Sequence, residues 1–167
     1  MVWLRTLFFA LAFVATMFVL LPLQLAGPGA VRGIGAGPLA IAGALLTAGG
    51  LALAAWCWWD FTVRGRGTPA PFDPPRALVV SGPYRYVRNP MYLGAGAILL
   101  GEAALLRAPV LLLYGLVFVL AVHAFVVLYE ERTLGRRFGA DYEAYRAAVP
   151  RWLPRLRPYR EPERPAA

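Results

Sequence analysis

The chain has no lysine, and its 167 residues include one cysteine, one serine, one asparagine and one glutamine. A lone Cys57 excludes an intramolecular disulfide and a cysteine-based zinc cluster, and no metal centre is expected. Charged residues are only 16% of the chain, against about 25% in ordinary soluble domains. That scarcity, with no collagen-like or low-complexity pattern, excludes a disordered chain and a fibre and argues against a soluble enzyme. No internal repeat of fixed period is visible. What is abundant is apolar surface: 59% of residues are hydrophobic and the mean hydropathy is +0.56. All 17 basic residues are arginine, and against 9 acids they leave a net charge of +8. Nucleic acid and membrane are the usual partners of such a balance. The unbroken apolar runs favour the membrane and exclude a nucleic-acid binder. The length suits one integral membrane domain over residues 1–167.

Four apolar runs are legible. The first, Thr6 to Leu25, matches the roughly 20 residues needed to cross a hydrocarbon core. It is too long for the h-region of a signal peptide, and Pro28-Gly29-Ala30 is a poor cleavage context, so a retained span is expected. The second runs from about Gly37 to Phe61, and Gly43, Gly49 and Gly50 suit close packing against another helix. The third, Met91 to Leu106, is short and carries Glu102. Arg107-Ala108-Pro109 joins it to the fourth, which continues to about Tyr129, so the pair reads as a helical hairpin. The expected fold is an all-α membrane protein of about four transmembrane helices plus a C-terminal amphipathic cytoplasmic helix.

Arginine counting sets the expected orientation. Four crossings place Arg5, five loop arginines (Arg64, Arg66, Arg76, Arg85 and Arg88) and nine tail arginines from Arg132 on one side. Only Arg32 and Arg107 fall on the other. Positive-inside bias then puts both termini in the cytoplasm, and the arginine- and alanine-rich composition suggests a bacterial inner membrane. In the tail, Leu134, Phe138, Tyr142, Tyr145 and Val149 share one helix face. Gly139 interrupts that helix, and Asp141 is placed to cap its second piece. An interfacial helix lying on lipid would show the same pattern. Beyond Pro154 the Arg/Pro/Glu composition reads as a disordered tail, 155–167.

Two clusters carry the polar chemistry. Ser81-Gly82-Pro83-Tyr84-Arg85-Tyr86-Val87-Arg88-Asn89-Pro90-Met91-Tyr92-Leu93-Gly94 stands directly before the third run. Pro90 pushes Asn89 into an extended turn and suits the start of a helix, whose N-terminus with nearby arginines attracts carboxylates or phosphates. A basic, aromatic interface anchor would look alike. The second cluster is Glu130-Glu131, at the expected C-terminus of the fourth helix. The macrodipole disfavours acids there, so Arg132, Arg136 or Arg137 should compensate them, or one carboxylate should accept from a ligand ammonium.

Three stretches together resemble the isoprenylcysteine carboxyl methyltransferase and phospholipid methyltransferase superfamily of integral membrane enzymes. They are GTPAPFDPP at 67–75, LVVSGPYRYVRNPMYLG at 78–94 and EERTLGRRFGADYEAYRAAVPRWLPR at 130–155. The resemblance implies that 67–155 is the methyltransferase-like catalytic region and that S-adenosylmethionine is bound at the cytoplasmic face of a helix bundle. No GxGxxG after a strand is present, in keeping with a cofactor site outside a Rossmann fold. By position, Arg88, Asn89, Pro90 and Tyr92 match the family's Arg-(His/Asn)-Pro-x-Tyr element. Glu130 and Glu131 match its acidic pair at the cofactor's amino-acid end, and Tyr142 and Tyr145 match the tail that covers the cofactor. These eight residues are the expected cofactor-binding set. Arg88, Asn89 and Glu102 are the candidate catalytic residues.

Two departures separate substrate classes. Asn89 stands where the isoprenylcysteine enzymes carry His, and Val126 where they carry an arginine four residues before the acidic pair. The acceptor expected is therefore lipid or another lipophilic molecule other than prenylcysteine. Inside the apolar runs, Glu102 and His123 are costly ionisable groups. Glu102 has three readings: it stays protonated, pairs with Arg107, or faces the acceptor. His123 is either a base or a buried hydrogen-bonding group, and Asp60 is equally open. A second function class remains, a non-catalytic membrane scaffold or transport accessory with the same fold.

Overall fold

The computed structural model describes residues 11–31, 33–63 and 77–160. The start of the first apolar run, Arg5, Arg32, the proline motif at 67–75 with Arg64, Arg66 and Arg76, and the tail from residue 161 lie outside the described residues. Every regular element among those described is a helix: α1 (Leu11–Ala26), α2 (Pro38–Val63), α3 (Pro90–Leu105), α4 (Val110–Phe138) and α5 (Ala140–Ala148), with a 3-10 turn at Gly82–Arg85. Helices α2 and α4, at 26 and 29 residues, are long and apolar enough to cross a bilayer; α1 and α3 are shorter. The chain divides into two compact units.

The first unit takes in residues up to Ala52 and from Gly94 to Val122. Here α2 and α3 meet backbone to backbone. A Cβ on Gly43 would lie 2.6 Å from the Gly101 carbonyl, and one on Gly50 would lie 2.6 Å from the Gly94 carbonyl. Both glycine pairs are seven residues apart, two helical turns, so the same stripe repeats along each helix. Gly50→Ala is expected to destabilise the protein by about 1–3 kcal/mol, because backbone cannot yield as a side chain would. Gly49→Ala, which meets nothing within 4 Å, should be neutral or better in helix propensity. Thermal unfolding of the two variants in detergent checks the contrast; equal midpoints would dissolve the close-approach argument.

The α3–α4 hairpin turn is a Schellman motif. The Ala108 N–H donates to Ala103 O at 3.1 Å and the Arg107 N–H to Ala104 O at 3.4 Å. Arg107 takes the left-handed position, φ +52°, where glycine is usual. Ala108 closes against Ala103 and Leu111 in a small apolar cluster. In α1, Pro22 has no N–H to offer, and the preceding turn, Thr16–Leu20, widens to π geometry. The Tyr114 hydroxyl donates to Met17 O in that turn at 3.0 Å, and Phe18 meets Phe118 edge-on.

The second unit takes in Leu53–Leu93 and everything from His123. Its centre is the predicted tail face: Tyr142, Tyr145 and Val149 are buried against Leu134 and Phe138, and also against Leu78, Val80 and Tyr159. Gly139, at φ +51°, breaks α4 from α5. The expected cap at Asp141 is corrected: Gly139 holds the N-cap position and no side chain caps it, while Asp141 lies in the first turn of α5. Acids there favour the helix N-terminus through the dipole.

A larger correction concerns α4. It does not end near Tyr129 but runs on to Phe138, passing through a π turn at Val126–Glu130. Glu130 and Glu131 therefore sit inside a continuous helix, not at its C-terminus. The apolar run stops near Tyr129, and the helix continues beyond it to Phe138.

Candidate functional site

The segment entering α3 is built to present two side chains. Gly82 opens the 3-10 turn at φ +52°, where an added Cβ would collide with the Asp60 carboxylate and the Trp56 indole. The turn delivers Arg88 and Asn89 just before Pro90, and the Asn89 carbonyl accepts from the Leu93 N–H at 3.2 Å, the first bond of α3. Pro90 suits this first helical position.

Residues 150–159 run beside this entry as a strap. The Arg88 N–H donates to Pro150 O (2.9 Å), the Arg155 N–H to Tyr86 O (2.9 Å) and the Tyr159 N–H to Arg85 O (2.8 Å). Arg85 Nε returns a bond to Tyr159 O at 2.8 Å. Asn89 Nδ2 donates to Arg151 O at 3.1 Å. Arg155 and Tyr159, which lie in the stretch expected from composition to be a disordered tail, make these contacts.

Glu131 is the hub of the site. Its Oε1 accepts from Arg88 Nη1 at 2.9 Å and from Arg151 Nε at 2.6 Å, and its Oε2 accepts from Arg151 Nη2 at 2.9 Å. Two guanidiniums thus claim both oxygens of a carboxylate that is only 9% exposed. The compensation expected from Arg132, Arg136 or Arg137 comes instead from Arg88 and Arg151, and the three local arginines are exposed. The hydrogen bond to Glu131 raises the Arg151 guanidinium above its already high value.

Glu130 is differently placed. The hydrogen bond it makes among the described residues comes from the Tyr92 hydroxyl to its Oε2, at 3.0 Å. Arg88 Nη1 also reaches the Tyr142 hydroxyl at 3.3 Å, while the Arg88 Nε–H is buried and has no hydrogen-bond partner among the described residues. Tyr145 donates to Tyr84 O at 2.7 Å. Burial raises the phenols of Tyr84, Tyr142 and Tyr145 above the ordinary value, so each remains a neutral donor.

Arg88, Asn89, Val126, Glu130, Glu131, Leu134, Tyr142 and Tyr145 line one pocket. Six of the eight residues matched to the cofactor set fall on this wall; Tyr92 touches it through Glu130, and Pro90 is buried behind it. Glu102 is not among the lining residues. It belongs to the first unit, one of its oxygens is buried without a partner, and it forms no ion pair with Arg107 among the described residues. His123 accepts from Trp152 Nε1 at its Nδ1, 3.1 Å away. Sequence reasoning missed Arg151 as the second clamp on Glu131. Its signal was weak: one arginine among nine in the tail, between Pro150 and Trp152.

The pocket encloses about 30 Å3, against roughly 300–1,000 Å3 for sites that hold drug-sized ligands. Its walls come from the entry to α3, from α4 and from α5. A ligand of nucleoside size requires one of these to move.

Two apolar helices of bilayer length, α2 and α4, and a charged pocket lined in part by α4 describe a helical protein of the membrane. The chain belongs to the phospholipid methyltransferase family, whose model matches residues 39–141, more than half its length. That range covers α2 from its second residue, all of α3 and α4, the Arg88–Tyr92 element and the acidic pair. No curated protein and no solved structure matches the chain.

Proposed function

We propose that the chain is an S-adenosylmethionine-dependent methyltransferase acting on a lipophilic, membrane-embedded acceptor at the cytoplasmic face. The observation that carries this is a division of labour in the pocket wall. Glu131 is saturated by two arginines, whereas Glu130 keeps acceptor capacity and Arg88 Nε keeps an unmet donor. A buried N–H without a partner costs about 1–3 kcal/mol, and a ligand carboxylate would relieve it. An acid and a donor side by side match a zwitterionic amino-acid end, and the family supplies the reason to name the cofactor.

The residues fit that group. Glu130 would take its ammonium, Arg88 its carboxylate, and Tyr142 and Tyr145 would lie over it, with rings suited to a cationic sulfonium. When bound, the cofactor supplies an electrophilic methyl group. The protein's part is to orient and desolvate: Tyr142 and Tyr145, 2% and 3% exposed, keep water from the wall, and Arg88 is fixed by Glu131. Asn89, with its Nδ2 donating to Arg151 O, acts as a positioning residue for the strap. Val126 on the wall leaves no cation for a substrate carboxylate at that position, which favours an uncharged or amine acceptor over prenylcysteine.

Isothermal titration of the solubilised protein with S-adenosylhomocysteine tests the reading. Wild type should bind, and Glu130→Gln should weaken binding by roughly 1.5–3 kcal/mol, the value of a hydrogen bond to a charged group. No binding by wild type would overturn it in favour of a non-catalytic scaffold. For topology, we propose four crossings with both termini cytoplasmic, supported by the arginine asymmetry. Reporter fusions after residues 30 and 75 should report opposite sides of the membrane; the same side for both would sink it.

A further inference from the structure

The strap carries four arginines (Arg151, Arg155, Arg157 and Arg160) and no acid. Its pairing along residues 85–88 fixes which side chains turn inward. Arg151 goes to Glu131, Trp152 donates to His123, and Tyr159 meets Tyr145 edge-on. Leu153 and Leu156 turn outward, 79% and 99% exposed, and Arg157 and Arg160 are exposed beside them. Neither arginine forms an ion pair among the described residues. The next acids in sequence, Glu161 and Glu163, lie outside those residues. The head of the strap fixes its level. Arg151 and Trp152 touch α4 at Glu131 and His123, roughly two helical turns apart. Between these two points α4 exposes Phe125, Leu128 and Tyr129. The strap therefore begins beside the stretch of α4 where exposed apolar surface gives way to charge.

We infer that the outward face of the strap is a docking surface for the anionic headgroups of the bilayer, with Leu153 and Leu156 entering the headgroup–acyl boundary and Arg157 and Arg160 meeting phosphates. The inference goes beyond the methyl-transfer reading and does not depend on it. Three observations select this occupant. Exposed leucines interleaved with arginines match a surface that is apolar below and negative above. With no acid on the strap, an anionic partner gains from every charge and a basic one from none. The face also continues the exposed apolar surface of α4, a helix of bilayer length. An acidic protein would match the arginines, but that continuity favours the bilayer. The segment from 150 to 160 is extended, so its lipid contact comes from the fixed alternation of a paired strap and not from an amphipathic helix; the apolar face of α5 is spent on the protein's own core.

The test exploits the lone thiol. Cys57 is fully buried, so Leu156→Cys in the full-length protein can be labelled selectively with an environment-sensitive fluorophore. The labelled protein is placed in nanodiscs of phosphatidylcholine, or of phosphatidylcholine mixed with phosphatidylglycerol, each containing lipid brominated near the top of the acyl chain. Quenching should be strong in the anionic discs and weak in the neutral ones, and raised salt should relax it. Adding Arg157→Gln and Arg160→Gln should lower the docked-to-free ratio in anionic discs by about thirtyfold, about fivefold for each arginine near a negative surface. Leu153→Cys, labelled in the same way, covers the case where Leu156→Cys does not fold. A fluorophore that stays in water in both discs overturns the inference and leaves the face to a protein partner. Equal quenching in both discs, or quenching in anionic discs that survives loss of both arginines, overturns it as well. S-adenosylhomocysteine takes no part in the readout, so failure of the cofactor reading would leave this surface standing.

Discussion

Glu131→Ala is expected to destabilise the protein by about 3–5 kcal/mol, the cost of removing one partner from a buried ion pair. The alanine leaves Arg88, only 10% exposed, with a charge and no carboxylate to receive it. Arg151, 32% exposed, can turn to solvent, so the larger share of the penalty falls on Arg88. The loss should be local before it is global: with the clamp gone, the strap loses its ion pair at Arg151, the link nearest its start, and keeps its backbone bonds to Arg85, Tyr86 and Arg88 and its contacts at Trp152 and Tyr159. Trypsin should then cut after Arg151 and Arg155 under conditions where wild type is intact. Glu130→Ala is the contrast, since it removes an acceptor for the Tyr92 hydroxyl and strands no cation. Denaturant unfolding in detergent measures both variants. If Glu131→Ala proves as mild as Glu130→Ala, the clamp is not what holds the strap.

Much of the helical frame was legible because apolar runs and bilayer thickness share one length scale. Helix α2 was expected from Gly37 to Phe61 and spans Pro38–Val63; α3 was expected from Met91 to Leu106 and spans Pro90–Leu105. The buried face of α5 was equally legible from its spacing, since a helix that packs must repeat its apolar residues every three or four positions. The end of α4 was not. Hydropathy falls at Glu130, whereas backbone hydrogen bonding continues through residues of good helix propensity such as Glu131, Leu134, Arg136 and Arg137.

The site divides along the same line. Which residues carry polar chemistry was readable from their rarity in an apolar chain, and the pocket gathers Arg88, Asn89, Glu130, Glu131, Tyr142 and Tyr145 onto one wall. Which residue pairs with which was not. Local spacing favours Arg132 or Arg136 as partners of the acids, yet the contacts that form come from 43 and 20 residues away. The strap is a second case in which composition says little about pairing. Pro150, Pro154 and Pro158 make the segment look unstructured, but their fixed φ presets an extended backbone. That backbone hydrogen-bonds along residues 85–88.

Arg88→Lys should separate charge from geometry at the centre of the site. Lysine retains a cation to face Glu131, so the protein should stay folded and keep most of its resistance to trypsin at the strap. An ammonium, however, is a point charge on a flexible stem and cannot reproduce the planar fork. In the native arrangement Nη1 serves Glu131 and Tyr142 together, while Nε has no partner among the described residues. A lysine that reaches Glu131 gives up the second direction. If the Nε direction receives the ligand carboxylate, S-adenosylhomocysteine binding should fall by roughly 1.5–3 kcal/mol, with little change in the unfolding midpoint. Methyl transfer should fall at least as far, because a misplaced donor also loses its alignment with the acceptor. Arg88→Ala cannot make this distinction, since it strands half of the Glu131 clamp and lowers stability and binding together. A lysine variant that binds like wild type would show that Arg88 serves the fold through Glu131 alone, and the carboxylate partner would then have to be sought at another donor on the pocket wall.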